Sequence, residues 1–326
     1  MLFLSTRKSQ TPLALIGSGM LALGLSTSAQ AVDWGAVPAT EVGLFFPGQT
    51  SLEWIYSKRD HDGAARYKKR KKSCQGCHDG DQKPYGDKIV AGGDTEPEPL
   101  GGRRGFVQMQ VQLAQEGGNL LARLSWPKAG GAAASKQDAD NDTKVTLLLD
   151  DNSVEEFVAG GCWAVCHSDS KKMPAASGDG KTKYLAESRT QMDKKDGGGD
   201  NLHGAGELDK LLGQGIFLEY WQAQLNPGQP AKAVNGYILS ERSENAGSSL
   251  TATATENGDS WVVEFSRPLA ASGTQKALAA GKAYTIAFAL HDQNTIGRYH
   301  LASLQYGLSL DGGAATLSVT PDAEAE

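Results

Sequence analysis

Beyond residue 31, the sequence contains no apolar run that approaches the length of a membrane span. It also lacks a His-Glu-x-x-His motif, a Gly-x-Ser-x-Gly nucleophile elbow and a phosphate-binding loop. These absences argue against zinc peptidases, hydrolases built on a nucleophile elbow and nucleotide-dependent enzymes. The net charge of −6 argues against a protein that binds nucleic acid.

Cysteine is scarce, with four among 326 residues. All four lie in two local pairs, Cys74/Cys77 and Cys162/Cys166, and a histidine directly follows each pair. The first motif, "CQGCH", is the attachment motif of c-type haem: two thiols bond covalently to the haem, and the adjacent histidine, His78, binds the iron. The alternatives are a zinc knuckle and a local redox disulfide. No further Cys or His at matched spacing completes a zinc site nearby.

The second motif, "CWAVCH", departs from the standard spacing because three residues separate Cys162 from Cys166. One extra residue can bulge outward while both sulfurs still reach a porphyrin. A disulfide across so short a loop would be strained. The motif therefore predicts a second covalent haem with His167 as its proximal ligand, against the alternatives of a disulfide or another metal site.

The N-terminus has the pattern of a secretory signal peptide. Arg7 and Lys8 precede an apolar stretch, and "AQA" at 29–31 is a small-x-small cleavage site. We expect cleavage after Ala31 and export to the periplasm, where c-type haem is attached in bacteria. The alternative is a membrane anchor, but glycines interrupt this stretch and it is short for a span.

Two covalent haems would leave four histidines as candidates for the distal iron position. His61 lies 13 residues before Cys74, and a segment of that length can fold back across the first haem, so we predict His61 as its distal ligand. His203 lies in a glycine-rich stretch, and we interpret it as a surface residue. The other candidates are His291 and His300, with methionines in competition.

A basic run, "RYKKRKK" at 66–72, places six positive charges in seven residues just before the first motif. One interpretation is a solvated face. The other is a docking patch for an acidic redox partner, or for the propionates of a haem.

After a Pro/Gly-rich acidic linker at 92–102, apolar and polar residues alternate with a period of two, which indicates β-strands. "FVQMQVQL" and "NLLARLSW" flank the hairpin signal "EGGN", and further strands follow up to "HLASLQYGLSL". Many short strands and few helical patterns predict a mainly β fold, a β-sandwich. We expect a signal peptide at 1–31, an irregular or helical N-terminal haem c segment at 32–95 and the sandwich at 96–326, with a haem-holding loop insertion at about 160–210.

Residues from about 102 to 310 resemble the haem-binding domain of the ethylbenzene dehydrogenase γ-subunit and related dimethyl-sulfoxide-reductase-type haem subunits. Three segments carry the resemblance: "GCWAVCHSDSKKMP", "IFLEYWQAQL" and "IAFALHDQNTIGRYHLASLQYGLSL". It implies a sandwich similar to carbohydrate-binding domains, with a haem at its edge.

The resemblance also implies ligands for the second haem. That family holds a non-covalent haem between Met and Lys. At the position that resembles the Lys, this sequence has "RYHL", which makes His300 the first choice for the distal ligand. His291 is second, and Met173, which matches the family's Met region only loosely, is third.

These observations predict a periplasmic dihaem c-type cytochrome that carries single electrons between redox proteins and is not itself an enzyme. One alternative is the haem subunit of a periplasmic molybdenum oxidoreductase. A haem enzyme or gas sensor is disfavoured because it needs a vacant iron position, and histidines are in surplus. Partners would be redox proteins, including a molybdenum enzyme or a quinol-oxidising membrane cytochrome.

Overall fold

The structure of the chain is a computed structural model, and residues 32–322 form the part it describes, with short gaps. The described ranges are 32–50, 52–70, 72–93, 95–135, 137–167, 183–192, 201–313 and 315–322. The predicted signal peptide, Met173 and parts of the predicted haem loop lie outside them. Val32–Glu326 forms one compact unit.

The fold is mainly β, as the alternating pattern predicted. The strands are β1 (Thr40–Phe45), β2 (Phe106–Glu116), β3 (Asn119–Pro127), β4 (Thr143–Asp150), β5 (Cys166–His167), β6 (Lys183–Tyr184), β7 (Leu218–Leu225), β8 (Lys232–Ile238), β9 (Arg242–Glu244), β10 (Thr251–Asn257), β11 (Ser260–Pro268), β12 (Ala283–His291), β13 (Leu301–Ser303), β14 (Tyr306–Ser309) and β15 (Leu317–Ser318). The helices are α1 (Leu52–Tyr56), α2 (Ala64–Arg70), α3 (Gln75–His78), α4 (Gln82–Val90), α5 (Glu155–Gly160) and α6 (Ala205–Gly213).

The β2–β3 hairpin shows how the sequence encodes these strands. Its two-residue turn consists of Gly117 and Gly118, whose φ angles of 54° and 76° lie in the left-handed region that glycine adopts at least cost. Along β2, one face carries buried apolar side chains, including the fully buried Met109. Met109 is therefore a core residue, as its place in the alternation predicted.

Strands β1–β4 and β7–β13 form one continuous antiparallel path, in the order β10-β11-β3-β2-β1-β13-β12-β4-β7-β8-β9. Apolar residues from the two halves of this path belong to a single buried cluster. Val111 and Val263 come from one half, and Leu147, Trp221 and Phe288 from the other. The path therefore folds over so that its halves pack face to face as a β-sandwich.

The half that contains β12, β4, β7 and β8 is buried on both faces. Its inner face belongs to the main core. On its outer face, Leu148, Tyr220 and Ile238 pack against Phe157 and Leu185 of the segment between β4 and β7. This segment contains the second cysteine motif, so the motif lies on the outer face of the sheet.

The first cysteine motif lies among helices α1–α4, before the linker. One strand of the sandwich also comes from this part of the chain: β1 pairs with β2, Val42 opposite Met109, and with β13, Leu44 opposite Ser303. The N-terminal part and the sandwich thus share a sheet. Among the described residues, no helix has the length and apolarity that crossing a membrane requires.

Candidate functional site

The first cysteine pair lies on one turn of helix. Cys74 is the N-terminal flanking residue of α3, and the amides of Cys77 and His78 donate to its carbonyl oxygen over 3.1 and 2.9 Å. Residues three and four apart on a helix lie on the same side, so this turn brings both thiols and the imidazole to one neighbourhood. Both cysteines are free thiols. Burial, followed by the charge of Cys77, raises the pKa of Cys74 to about 12.

The ring of His61, the residue predicted as the distal ligand, lies opposite the ring of His78. The two ring centroids are 6.2 Å apart and the planes are inclined by 35°. A metal–imidazole bond is about 2 Å long, so two imidazoles on opposite sides of one metal ion have their centres about 6 Å apart. The observed spacing is therefore compatible with a metal ion between the two rings.

The surroundings of His61 are those of a metal ligand. Its Nδ1 lies 2.9 Å from the carbonyl oxygen of Ile55, and the ring stacks on Trp54 with 5.2 Å between centroids. A backbone carbonyl on one ring nitrogen orients the other towards a metal. Gly63 keeps this second nitrogen accessible, because a Cβ at Gly63 would lie 2.8 Å from Nε2 of His61.

His78 is half-buried and lacks a full set of partners. Its Nδ1 is buried without a hydrogen bond among the described residues, and the carboxylate of Asp81 is 4.0 Å away. Burial, and secondarily the charge of His61, lowers the pKa of His78, so the neutral, metal-binding form is favoured. Cys74, Cys77, His61 and His78 together fit a covalent haem.

The second cysteine motif lies on the outer face of the sandwich. Cys162 lies on a short 3-10 turn (Gly161–Ala164), and its Sγ donates to the carbonyl oxygen of Phe288 in β12 over 3.3 Å. Burial raises the pKa of this thiol to about 12. The backbone of Cys166 and His167 forms β5, which pairs with β6. The side chains of Cys166 and His167 lie outside the described residues.

Cys162 lines a cavity of about 470 Å³ on the outer face of the sheet. This volume lies within the range of small-molecule and cofactor sites. The floor is built from β4, β7, β8 and β12, and the loop before β13 closes one side. Apolar, polar and charged side chains share the lining, among them Leu148, Ile238, Tyr220, Gln222, His291 and His300.

His291 and His300 both reach this cavity, but they do not face each other as His61 and His78 do. Their ring centroids are 4.8 Å apart, too close for a metal ion between opposed rings. Burial and the charge of His300 lower the pKa of His291 well below its usual value. The two imidazoles therefore lie beside each other, and each has one ring nitrogen close to the carbonyl oxygen of Gly297.

Three cations, Lys144, Lys183 and Arg242, also line the cavity. Burial, followed by the charge of Arg242, lowers the pKa of Lys183 to about 8. Lys144 pairs with Asp138, another lining residue. Cations that line a cavity in this way match the carboxylates that a haem carries. With Cys162 and the histidines, they make the cavity fit for a haem.

Three ion pairs hold the loop between His291 and His300, and two of them share Asp292. Asp292 accepts hydrogen bonds from Arg103 over 2.8 Å and Arg104 over 2.6 Å. Arg298 pairs with Glu96, and both side chains are at most 2% exposed. Glu96, Arg103 and Arg104 all belong to the segment that joins the helices to the sandwich.

The two cysteine motifs meet at a shared junction. The amide of Cys74 donates to the carbonyl oxygen of Ala159 over 2.8 Å, three residues before Cys162. Cys74 and Trp163 also pack against the same small apolar cluster, which includes Tyr67 and Tyr184.

Two further hydrogen bonds tie the helices to α5 at this junction. The hydroxyl of Tyr56 donates to a carboxylate oxygen of Glu156 over 3.1 Å, and that of Tyr67 donates to the backbone carbonyl of Glu156 over 3.2 Å. Trp163, the residue after Cys162, stacks on Phe45 of β1 with 4.9 Å between centroids. The extra residue in the second motif thus belongs to a loop that packs on the sandwich.

Sequence reasoning named most of the residues that these sites bring together, but not their supports. His203 lies at neither site; its amide donates to the carbonyl oxygen of Ser188. The Glu96–Arg298 pair, which holds the loop before His300, leaves no local pattern in the sequence. Gly63, which leaves room beside the ring of His61, could have been noticed from its position two residues after His61.

Comparisons with known proteins give two curated relatives. The chain is 37% identical to cytochrome c-552 of Stutzerimonas stutzeri over 288 residues, which cover 87% of this chain and 89% of the relative. It is 30% identical to cytochrome c-551 of Rhodocyclus tenuis over 285 residues, which cover 86% of this chain and 96% of the relative. No protein-family model matches the chain.

Two solved structures overlap it loosely. One is a protein from Bacteroides uniformis, with a TM-score of 0.30 and 10% identity over 61% of this chain and 69% of that one. The other is a family 9 carbohydrate-binding module from Caldicellulosiruptor kristjanssonii in complex with glucose, with a TM-score of 0.29 and 9% identity over 68% of this chain and 80% of that one.

Proposed function

The chain belongs to the family of c-type cytochromes that includes cytochrome c-552 and cytochrome c-551, and from this premise we propose that it is a periplasmic dihaem electron carrier. Membership of the family makes it an electron-transfer cytochrome with covalently bound haem c. What we propose beyond this membership is the number of haems, their ligands, the cellular location and the partners.

At the first site, Cys74 and Cys77 attach the haem, His78 is the proximal ligand and His61 is the distal ligand. The opposed imidazoles, 6.2 Å apart between centroids, support this assignment. The Ile55 carbonyl fixes the ring of His61, and Gly63 leaves room for its Nε2. If both histidines held the haem iron, the site would exclude small ligands and would suit electron transfer alone.

At the second site, Cys162 and Cys166 attach the haem and His167 is the proximal ligand. His300 is the distal ligand, with His291 and then Met173 as the alternatives. The hydrogen bond from Nδ1 of His300 to the carbonyl oxygen of Gly297, 3.2 Å long, is typical of a histidine that binds metal through Nε2. The cavity cations Lys183 and Arg242 would hold the haem carboxylates.

When bound, a haem supplies a one-electron couple whose potential depends on its axial ligands, burial and nearby charge. The residues of this chain hold that couple in place and exclude water. Bis-histidine ligation gives a lower reduction potential than His/Met ligation. We therefore expect both haems to have lower reduction potentials than a haem with His/Met ligation.

The observation that carries the proposal is the hydrogen bond between Cys74 and Ala159. It joins the backbone of one attachment motif to α5, the helix that directly precedes the other. Two haems held at these motifs would be neighbours across a packed apolar cluster, an arrangement that favours electron exchange between them. One site could then receive an electron and the other deliver it.

The predicted signal peptide supports the periplasm as the location, and redox proteins, including a quinol-oxidising membrane cytochrome, are the proposed partners. The resemblance to ethylbenzene dehydrogenase-type haem domains, and with it a role beside a molybdenum enzyme, stays a prediction.

A redox titration monitored by visible absorption tests this function. We expect two one-electron transitions, low-spin spectra in both oxidation states, and no rapid binding of carbon monoxide to the reduced protein. Rapid and complete carbon monoxide binding would show open iron positions and would contradict an electron carrier with two protein ligands on each iron.

A further inference from the structure

Helix α2 turns one face inward and a strongly charged face to solvent. Ala64 and Tyr67 are buried, and the Tyr67 hydroxyl is tied to Glu156. The remaining surface of the helix exposes Arg66, Lys68 and Lys69, and Lys72 is exposed just beyond the helix. These four exposed cations are the basic face. The amine of Lys68 also lies over the ring of Tyr56, 4.3 Å from its centroid.

Along the chain, the basic face lies between His61 and the first cysteine motif. The helix begins three residues after His61, whose carbonyl oxygen accepts the amide of Ala64 over 3.0 Å, and Cys74 follows it closely. Cys77 is exposed, and α3 contains no buried residue. Tyr85, 38% exposed, meets the ring of His78 edge-on with 5.4 Å between centroids.

The described histidines of the second site are more buried than those of the first. His291 is 9% exposed and His300 is 6% exposed, and the sheet and the loop segment surround them. A partner protein can therefore approach the first site more closely than the second. This asymmetry makes the first site the entrance or exit for electrons.

The charge of the basic face is opposite to that of the protein. Residues 64–72 contain six Lys and Arg and no acidic residue, whereas the whole chain has a net charge of −6. Such a local excess focuses attraction on one region of an otherwise repulsive surface, and it accelerates association with an oppositely charged partner.

We propose that the basic face is the docking surface for an acidic redox protein, which exchanges one electron with the haem at the first site. The inference rests on the proposed function. In one direction, the reduced partner loses one electron and the ferric haem gains it; no atom or proton needs to move.

A protein partner fits this surface better than a lipid surface does. A helix that lies on a membrane inserts its apolar face into the lipid. The apolar face of α2 is already used, because Ala64 and Tyr67 are buried against the protein. The exposed side offers only charge, which suits a polar protein interface.

The sign of the salt dependence tests the proposal. The experiment measures the second-order rate of reduction by a reduced flavodoxin, an acidic electron-transfer protein, from low to high ionic strength. Net charges alone would make two acidic proteins repel, so salt would speed the reaction. Docking on the basic face predicts the opposite, a fall of at least about tenfold as salt screens the local attraction. A rate that is constant or rises with salt would overturn the proposal.

A charge-matched pair of variants locates the effect. Lys69→Glu/Lys72→Glu should abolish the fall, whereas Lys232→Glu/Lys282→Glu, which changes two exposed lysines of the sandwich, should keep it. Equal effects of the two double variants would overturn the assignment to α2. Binding to membranes is tested by sedimentation with anionic phosphatidylglycerol vesicles. If the wild type and the sandwich variant sedimented with the vesicles and the α2 variant did not, the proposed protein docking surface would be overturned in favour of a membrane-binding surface.

The haem content of each sample distinguishes a failure of the proposed docking surface from a failure of the proposed dihaem function. A haem count of two with a salt dependence of the wrong sign would contradict the docking surface only. A count below two would contradict the dihaem function, whatever the rates show.

Discussion

His291 and His300 direct ring nitrogens at the same acceptor, the carbonyl oxygen of Gly297. Nε2 of His291 lies 2.9 Å from it and Nδ1 of His300 lies 3.2 Å from it. A carbonyl oxygen can only accept, so both nitrogens carry protons when the rings are neutral. The tautomers therefore differ: the unprotonated nitrogen is Nδ1 in His291, where it is buried without a partner among the described residues, and Nε2 in His300.

The first prediction follows from these tautomers. His300→Ala should remove the distal ligand of the second haem, so that about half of the total haem binds carbon monoxide after reduction. His291→Ala should leave both haems low-spin, because His291 supports the loop and does not bind iron. Carbon monoxide binding and visible spectra measure both outcomes, and open iron in His291→Ala with intact ligation in His300→Ala would reverse the assignment.

The second prediction concerns the first haem alone. His61→Ala should open that iron to carbon monoxide and leave the second haem low-spin, because His61 faces His78 across a metal-sized gap. His203→Ala is the matched control, since His203 lies at neither site, and it should change neither haem. Unchanged spectra in His61→Ala would show that another residue is the distal ligand.

The third prediction tests the support of the His300 loop. Glu96→Gln would leave the buried guanidinium of Arg298 without its counter-charge, which costs about 3–5 kcal/mol of unfolding free energy. Chemical denaturation measures this cost. Glu207→Gln breaks the exposed Glu207–Lys210 pair, and it should cost less than about 1 kcal/mol. Equal costs would mean that the buried pair does not hold the loop.

Sequence patterns predicted the mainly β fold because strand alternation and turn chemistry are local rules. The alternation in β2 and β3 and the turn glycines between them are readable within a short window. The strand β1 was not predicted: its six residues form a strand only because β2 and β13 lie on either side. Glu96 and Arg298 are 202 positions apart, so no local pattern could pair them.

The cavity of the second site was also beyond local reasoning. His300 and His291 were named among the remaining histidines and ranked through a family resemblance, but Lys183 and Arg242 were not named. They meet the histidines only after β6 lies on the outer face of the sheet and β9 pairs with β8 at the end of the strand order. Motif spacing identifies the residues predicted to bind haem. The residues that position them are brought close only by long-range packing.

The fourth prediction concerns pH. Burial, followed by the hydrogen bond and charge of Glu156, raises the pKa of Glu187 from its usual 4.5 to about 8. The folded state then keeps a proton that the unfolded state releases between about pH 4.5 and pH 8. The free energy of unfolding should therefore fall as pH rises through this window and level off above it.

Urea denaturation across this range measures the slope. Glu187→Gln should flatten it, because the amide cannot titrate. Glu207→Gln, which changes an exposed carboxylate, should keep the wild-type slope. A slope that survives in Glu187→Gln would assign the pH dependence to other groups.

The intact mass of the denatured mature protein, expressed with haem maturation machinery, tests the central claim most directly. Denaturation removes any haem that is held only by axial ligands and keeps haem that is bonded to cysteine. The account predicts the mass of the chain from Val32 onward plus two haems. One retained haem would show that Cys162 and Cys166 are not an attachment site, and it would contradict the dihaem account.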